Sequence, residues 1–340
     1  MDNYGSLLRK ALVEQHKIIF DYNNKKVRDE FCEYINCPVC NSSKQTTAFT
    51  KDWFNFSKCS ACGMIYVNPR LNDKATYQFY NSEWTRIYNE KKFGTNTNSS
   101  EVDDKINYSN LRLINEYKLG KGALLEVGIG KGFFLKQASD AGYTVYGVEL
   151  NKNNCESAIQ LLGSSDHVYN MDLFETGFKA ESFDVIYMRD VLEHVPNPKK
   201  LVAEFNRIAK KGCIIFIEVP NIDGWIYKLV KERHVCNFAF EHINYWSPKT
   251  LTTILTSCGF TVKNIYHESL DFKIAHILPH FIETNYSSVN YYKAPVIISF
   301  MIKVISKAFS LPPLNMVDYL LSFIANRLKR GSVIRVIAIK

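Results

Sequence analysis

The chain has 340 residues, 46% of them apolar and 14% aromatic, which is too apolar for a disordered polymer and enough for one large α/β domain with small appendages. Its 42 Lys and Arg exceed 34 Asp and Glu for a net charge of +8, a balance that admits phosphates, nucleotides or lipid headgroups as partners and equally suits a solvated surface. The opening MDNYGSLLRKALVEQ lacks the order of a secretory leader, and the longest apolar run, Ala294 to Ile302, falls short of the ~20 residues a membrane helix needs, so a cytoplasmic protein is expected.

Residues 1–31 carry a helical pattern over about Ser6 to Phe20. Residues 32–70 hold four of the nine cysteines as two pairs, Cys37-Pro38-Val39-Cys40 and Cys59-Ser60-Ala61-Cys62. Two C-x-x-C knuckles at this separation suit a tetrahedral Zn2+ held by Cys37, Cys40, Cys59 and Cys62 in a reducing compartment, rather than disulfides. With all four positions filled, the ion is structural and supplies folding energy to a module too small for its own core. Between the pairs, Lys51, Trp53, Phe54, Phe56 and Lys58 interleave basic and aromatic groups, a pattern of either a nucleic-acid stacking surface or internal packing. Residues 71–121 read as a helical linker interrupted by a polar loop, Gly94 to Asp104.

Residues 122–266 alternate strand and helix patterns, which implies a doubly wound α/β fold around a parallel sheet. Strands are predicted at Ala123–Val127, Thr144–Leu150, His167–Tyr169, Phe183–Met188 and Cys213–Val219. One helix carries Phe134, Leu135 and Ala138 and closes at Gly142; another carries Leu201, Val202, Phe205 and Ile208 and closes at Gly212. Ser247-Pro248 supplies a cap and first-turn proline for a helix with the stripe Leu251, Ile254, Leu255 and Cys258, ended by Gly259. In residues 267–340, Tyr291, Tyr292, Val296, Ile297, Phe300, Met301, Val304 and Ile305 mark helices before a closing strand at Val333–Ile339. Lys303, Lys307, Arg327, Lys329 and Arg330 add positive charge there, leaving a membrane-surface contact open beside packing on the core or on a second subunit. Cys32, Cys155, Cys213, Cys236 and Cys258 have no paired spacing and suit buried apolar positions. The oligomeric state is not set by any of these patterns.

At the end of the first core strand, Gly128, Gly130 and Gly132 alternate where a strand must turn into a helix. Such a turn lets backbone N–H groups face a ligand, and Glu149, about 20 residues on, is placed to accept the hydroxyls of a ribose. A dinucleotide fingerprint needs a glycine where Phe133 stands; instead the acidic Glu126 precedes the turn. This pattern resembles the first motif of class I S-adenosylmethionine-dependent methyltransferases. The resemblance implies that Glu126, Gly128, Gly130 and Gly132 surround the methionine part of S-adenosyl-L-methionine, that Glu149 holds its ribose, and that Asp172 lies on the adenine side. Phe183 to Val195 (FDVIYMRDVLEHV), including Arg189, is similar to the family's fourth-strand motif and the turn after it. It implies a seven-stranded, mostly parallel sheet, here joined by a small N-terminal zinc ribbon and a helical C-terminal insertion.

Methyl transfer from a sulfonium is an in-line displacement that needs a base wherever the acceptor must lose a proton. His194 follows the fourth strand, at the sheet edge where ligands bind. Glu241-His242-Ile243-Asn244-Tyr245-Trp246-Ser247-Pro248 resembles the segment that contributes a Glu-His pair in zinc-containing methyltransferases acting on deoxyketosugars, and Met64 to Arg70 resembles the exit of their zinc module, which covers the acceptor site. By that likeness His242 is the base, Glu241 orients it, and Tyr245 is a candidate relay. Those enzymes carry a tyrosine two residues before the Glu, where Ala239 stands here, so carbon and oxygen methylation both stay open. Arg189-Asp190-Val191-Leu192 lacks the Asn/Asp-Pro-Pro-aromatic motif of nucleobase amine methyltransferases. The expected activity is methylation of a small polar acceptor, a sugar or nucleotide-sugar in glycan or natural-product assembly. A zinc-ribbon RNA methyltransferase, or a non-catalytic nucleic-acid-binding or scaffold protein of this fold, is the alternative.

Overall fold

The computed structural model describes residues 17–83, 85–87, 101–118, 120–234, 236–268 and 312–340, together with Ala11 and Glu14. The chain divides into two compact units: Met1–Thr95 with Pro220–Thr250 and His267–Val333, and Asn96–Val219 with Leu251–Tyr266 and Ile334–Lys340. The helices expected between Tyr291 and Ile305 lie outside the described residues.

In the first unit the opening helix stops sooner than its pattern predicts. Phe20 already belongs to strand β1 (Phe20–Asp21), paired antiparallel with β2 (Lys26–Val27). The chain reverses because Asp21 Oδ1 accepts the N–H groups of Asn23 and Asn24 at 2.9 and 3.2 Å. Strand β3 (Cys32–Glu33) is followed by β4 (Gln45–Lys51), β5 (Phe54–Cys59), β6 (Ile65–Val67) and β7 (Arg70–Leu71), with β3 pairing to β7. Asp52 and Trp53, at φ 51° and 65°, form the two-residue turn that sets Lys51 opposite Phe54. Helix α1 (Asp73–Tyr80) starts at Asn72, whose side chain accepts the Ala75 N–H.

The second unit opens with helix α2 (Glu101–Tyr117), which begins inside the stretch predicted to be a loop. The βα alternation then follows the sequence pattern closely: β8 (Ala123–Val127), α3 (Phe133–Asp140), β9 (Thr144–Val148), α4 (Lys152–Leu162), β10 (Val168–Tyr169), β11 (Phe183–Arg189), α5 (Pro198–Ile208) and β12 (Ala209–Pro220). Residues 183–188 form an almost unbroken apolar run because β11 is central and covered on both faces. Phe134 of α3 stacks on Tyr187 with centroids 3.6 Å apart, and α5 buries Leu201, Val202, Phe205 and Ile208. Helix α5 ends at Ile208 rather than at Gly212, because Ala209 turns extended (ψ 135°) and enters β12. Lys340 Nζ satisfies two carbonyls at that end, donating to Asn206 O at 2.7 Å and Ala209 O at 2.8 Å.

Past β12 the chain forms α6 (Trp225–Val230), β13 (Asn244–Tyr245), α7 (Pro248–Ser257), β14 (Thr261–Glu268), α8 (Pro312–Arg327) and β15 (Val333–Ile339). As expected, Ser247 caps α7: its Oγ accepts the Thr250 N–H, and Thr250 Oγ1 accepts the Ser247 N–H in return. The large sheet has the order β10-β9-β8-β11-β12-β15-β14 and is parallel across β10, β9, β8, β11 and β12. Strand β15 runs antiparallel to β12, since Gly212 donates to Lys340 O near one end and Asn221 to Ser332 O at the other. Glu218 of β12 and Arg335 of β15 form a buried ion pair at 2.7 Å, to which Asn110 Nδ2 adds a hydrogen bond of 2.9 Å on Glu218 Oε2. The first unit's smaller sheet has the order β13-β6-β5-β4.

The cysteine module has a larger core than its sequence suggests. Phe240, far along the chain, packs edge-on against Phe20 (5.8 Å) and Phe54 (5.3 Å) and stacks on Phe79 (4.8 Å). Ring pairs of this kind contribute about 0.5–1.5 kcal/mol each beyond their area. Phe54 and Phe56 are 1% and 0% exposed, so the aromatic residues between the cysteine pairs are packing, not a stacking surface.

Candidate active site and cysteine cluster

The strand order reverses at β8, and the glycine turn lies at that strand's carboxyl end, where open α/β sheets bind ligands. Each glycine has its own reason. A β-carbon at Gly128 would collide with Val191 Cγ2, and one at Gly132 would lie 2.7 Å from Ala158 Cβ, so these two let the turn nest against the loop after β11 and against α4. Gly130 (φ 50°) has nothing within 4 Å of its missing β-carbon. That gap is the cradle a ligand can enter. Gly132 caps α3 without a side chain, which leaves the helix start open to a ligand.

Of the acidic groups predicted from the sequence, Glu149 lies at this gap. Glu149 Oε2 accepts the Gly130 N–H at 2.9 Å and Oε1 accepts the Asn151 N–H at 2.8 Å. Burial raises its carboxyl above the ordinary range, against the pull of these N–H groups. Glu126 is 5% exposed, and its Oε2 has no hydrogen-bond partner among the described residues. Burial pushes its carboxyl well up, against the opposing pull of Arg189, and the Glu149 charge adds to the push. A buried carboxyl oxygen left unpaired beside an open glycine cradle fits the ammonium of S-adenosylmethionine.

Arg189, at the end of β11, is held by Asn107, to whose Oδ1 it donates at 2.7 Å, and by the more distant carboxylates of Asp103 and Asp190. Asp172 lies one loop beyond. Its Oδ1 accepts the Phe174 N–H and Glu175 reaches back to the Asp172 N–H, so it completes a capping box. Asn170 Nδ2 ties this loop to Glu149 O and Leu150 O at 2.9 and 3.0 Å. Sequence reasoning did not single out Leu150, which follows Glu149 and is 71% exposed, an apolar side chain offered to solvent beside that acid. It also missed Glu193, 2% exposed in the loop that carries the half-buried His194.

In the first unit the four cysteines converge, with all four sulfurs within 4.8 Å of one another and Cys37–Cys62 and Cys40–Cys59 each 3.5 Å apart. Four sulfurs at about 2.3 Å from one tetrahedral ion lie about 3.8 Å apart, so the set fits such an ion. The knuckles repeat one geometry: Cys37 O accepts the Asn41 N–H and Cys59 O the Gly63 N–H, with Asn41 and Gly63 left-handed at φ 60° and 85°. Burial raises Cys62 to about 11. For Cys59 the N–H groups of Cys62 and Ala61 and the neighbouring thiols outweigh burial and bring it down to about 7.

Glu241 and His242 are half-buried, and both backbone N–H groups donate to Phe238 O. Tyr245 is 4% exposed and packs on Phe56, and its hydroxyl donates to His242 O at 2.8 Å. That hydroxyl therefore anchors the loop, a use that differs from the relay expected of it.

A sheet of this order, with a glycine turn and paired acids at its switch point, defines a class I S-adenosylmethionine-dependent methyltransferase domain. The sequence profile described as Methyltransferase domain matches residues 101–265. An uncharacterized protein of Methanocaldococcus jannaschii is 31% identical over 153 residues, covering 45% of this chain and 70% of that one. The chain belongs to this methyltransferase family. A ubiquinone biosynthesis O-methyltransferase of Idiomarina loihiensis is 31% identical over 132 residues, 37% of this chain and about half (51%) of that enzyme. Among solved structures, an S-adenosylmethionine-dependent methyltransferase from Archaeoglobus fulgidus matches 76% of this chain and 100% of its own at 22% identity, with a TM-score of 0.45. Among the described residues, no helix is long and apolar enough to cross a membrane.

Proposed function

We propose that the enzyme methylates a small polar acceptor, a sugar or nucleotide-sugar, and that Cys37, Cys40, Cys59 and Cys62 hold a structural zinc ion in a reducing, cytoplasmic setting. One observation within the first unit carries this reading. Strand β6 of the cysteine hairpin pairs with β13, and the Val67 N–H donates to Ile243 O at 3.0 Å, so the loop bearing Glu241 and His242 hangs from the metal-binding hairpin. The two motifs that mark the sugar enzymes are thus one hydrogen-bonded structure.

Bound S-adenosylmethionine supplies an electrophilic methyl group on a sulfonium. Glu126 holds its ammonium, Gly130 leaves it room, Glu149 takes the ribose hydroxyls, and Asp172 with Leu150 borders the adenine. Arg189 balances the Glu126 charge. His242, oriented by Glu241, takes the proton of the acceptor, Tyr245 fixes the backbone of that loop, and His194 serves as a second acid/base. Burial of Phe54 and Phe56 weighs against an RNA acceptor. The relative named for ubiquinone biosynthesis favours a second reading, transfer to a phenolic hydroxyl.

The test is transfer of labelled methyl from S-adenosylmethionine to a panel of nucleotide-sugars, a catechol and transfer RNA. Label in a nucleotide-sugar is expected; label in RNA alone would refute the proposal.

A further inference from the structure

We propose that Glu193 is a positioning residue for His194, the two forming a carboxylate–imidazole pair in the loop after β11 that serves as the second acid/base of the reaction. This rests on the reading of His194 as an acid/base.

The loop after β11 is fixed. Asp190 adopts a left-handed conformation (φ 54°) and donates its N–H to Glu218 O at 3.0 Å. Val191 fills the notch left by Gly128, and Leu192 is fully buried. His194 donates its backbone N–H to Val191 O at 2.9 Å. A carboxylate oxygen of Glu193 lies within 4.8 Å of a ring nitrogen of His194. Glu193 Oε2 has no hydrogen-bond partner among the described residues.

An ionised carboxyl in such a place is costly unless a cation faces it. Among the charges acting on Glu193 are those of Asp190 on its own loop and Glu218 at the end of β12. Both are acidic, and Glu218 is already paired with Arg335 at 2.7 Å. Burial first, and then Asp190, raise the Glu193 carboxyl well above the ordinary range. A carboxylate facing an imidazole favours the imidazolium over the neutral ring.

The chemistry balances. The O–H or C–H bond of the acceptor breaks, that atom bonds to the methyl carbon, and the methyl–sulfur bond breaks to leave a neutral thioether. The acceptor's proton goes to His242, and when His194 acts as the second acid/base Glu193 faces the imidazolium that forms there. An acid/base side chain held this way needs no rearrangement to change charge.

The experiment follows the His194 imidazole by NMR of the full chain with isotope-labelled histidine, the signal being assigned through H194Q, over about pH 5–9. In E193Q the proton affinity of His194 should fall about tenfold, and E193D should retain most of it. Unchanged affinity for S-adenosylhomocysteine shows that each variant is folded. If E193Q does not fold, E193D carries the comparison: a smaller shift in the same direction supports the pair, and a titration identical to the native protein's overturns it. A native titration that moves with added magnesium while that of E193Q does not would also overturn it, by making the carboxylate an ion ligand. Failure of the catalytic reading shows separately, as H194A retaining full methyl transfer while the NMR coupling stands.

Discussion

Alanine at Gly130 and at Gly132 should separate binding from packing within a single turn. At Gly130 the backbone is left-handed (φ 50°) and the new methyl meets nothing within 4 Å, so the cost is the left-handed conformation alone, about 1–2 kcal/mol. At Gly132 (φ 82°) the methyl would lie 2.7 Å from Ala158 Cβ and 3.0 Å from its Cα, a backbone atom of α4 that cannot swing away. Overpacking adds about 1–3 kcal/mol, for a total of about 2–5 kcal/mol. Urea denaturation should rank G132A below G130A by that difference. Calorimetry with S-adenosylhomocysteine should reverse the ranking, because the G130A methyl stands in the space left for ligand; a loss of at least about tenfold, near 1.4 kcal/mol, is expected. Native affinity in G130A would show that the gap is not the cofactor cradle. Equal stability of the two variants would show that α4 does not need the glycine.

Metal analysis should find one zinc per chain, and C59S, which removes the most acidic of the shifted thiols, should abolish it and lower the melting temperature. R335M leaves Glu218 charged and 2% exposed without its cation, and denaturation should register a loss of about 3–5 kcal/mol. Asp184 accepts from Lys210 Nζ (2.6 Å), the Ala123 N–H (3.0 Å) and Lys118 Nζ (3.2 Å). Burial raises its carboxyl, but these partners outweigh burial and lower it. Its contribution is therefore present above the unfolded value of about 3.9 and is lost as pH falls through the lower folded value. D184N should be less stable than the native protein by about 1–3 kcal/mol near neutral pH, and the gap should close under acid denaturation. H242A should lower turnover about 10²–10⁴-fold while S-adenosylhomocysteine binds as before; a large loss of affinity would contradict its role as base.

Legibility in the sequence followed the range of the forces involved. Central strands were plain because burial on both faces favours apolar residues, as in Phe183 to Met188, where Asp184 is the one charged residue. The glycine turn and Glu149 were plain because a tight strand-to-helix turn and its acid are set by local geometry. Features decided by distant partners were not. The end of α5 depends on Lys340, more than a hundred residues away, and the anchoring use of the Tyr245 hydroxyl depends on its burial against Phe56. The aromatic residues near Cys59 were ambiguous for the same reason, since residues distant in sequence, Phe20, Phe79 and Phe240 among them, help make them interior. Glu193 was overlooked because alternation along a chain says nothing about which carboxyl will be buried without a partner.

The cysteine hairpin and the Glu-His loop are joined by a short ladder, Asn244 opposite Tyr66 and Tyr245 opposite Ile65, yet they lie far apart in sequence. Closing such a long loop costs entropy that a two-residue strand does not recover by itself. The shared aromatic core around Phe240 supplies part of what is missing, and an ion bound only by the assembled hairpin would supply more. Stabilising β6 in this way stabilises the register of β13, and with it the backbone that presents His242. The linkage is reciprocal: whatever disorders β13 must also weaken retention of the ion. A metal bound there, with no open coordination position, would then act on the loop that carries His242 without touching a substrate, by setting how much of the time that loop is formed.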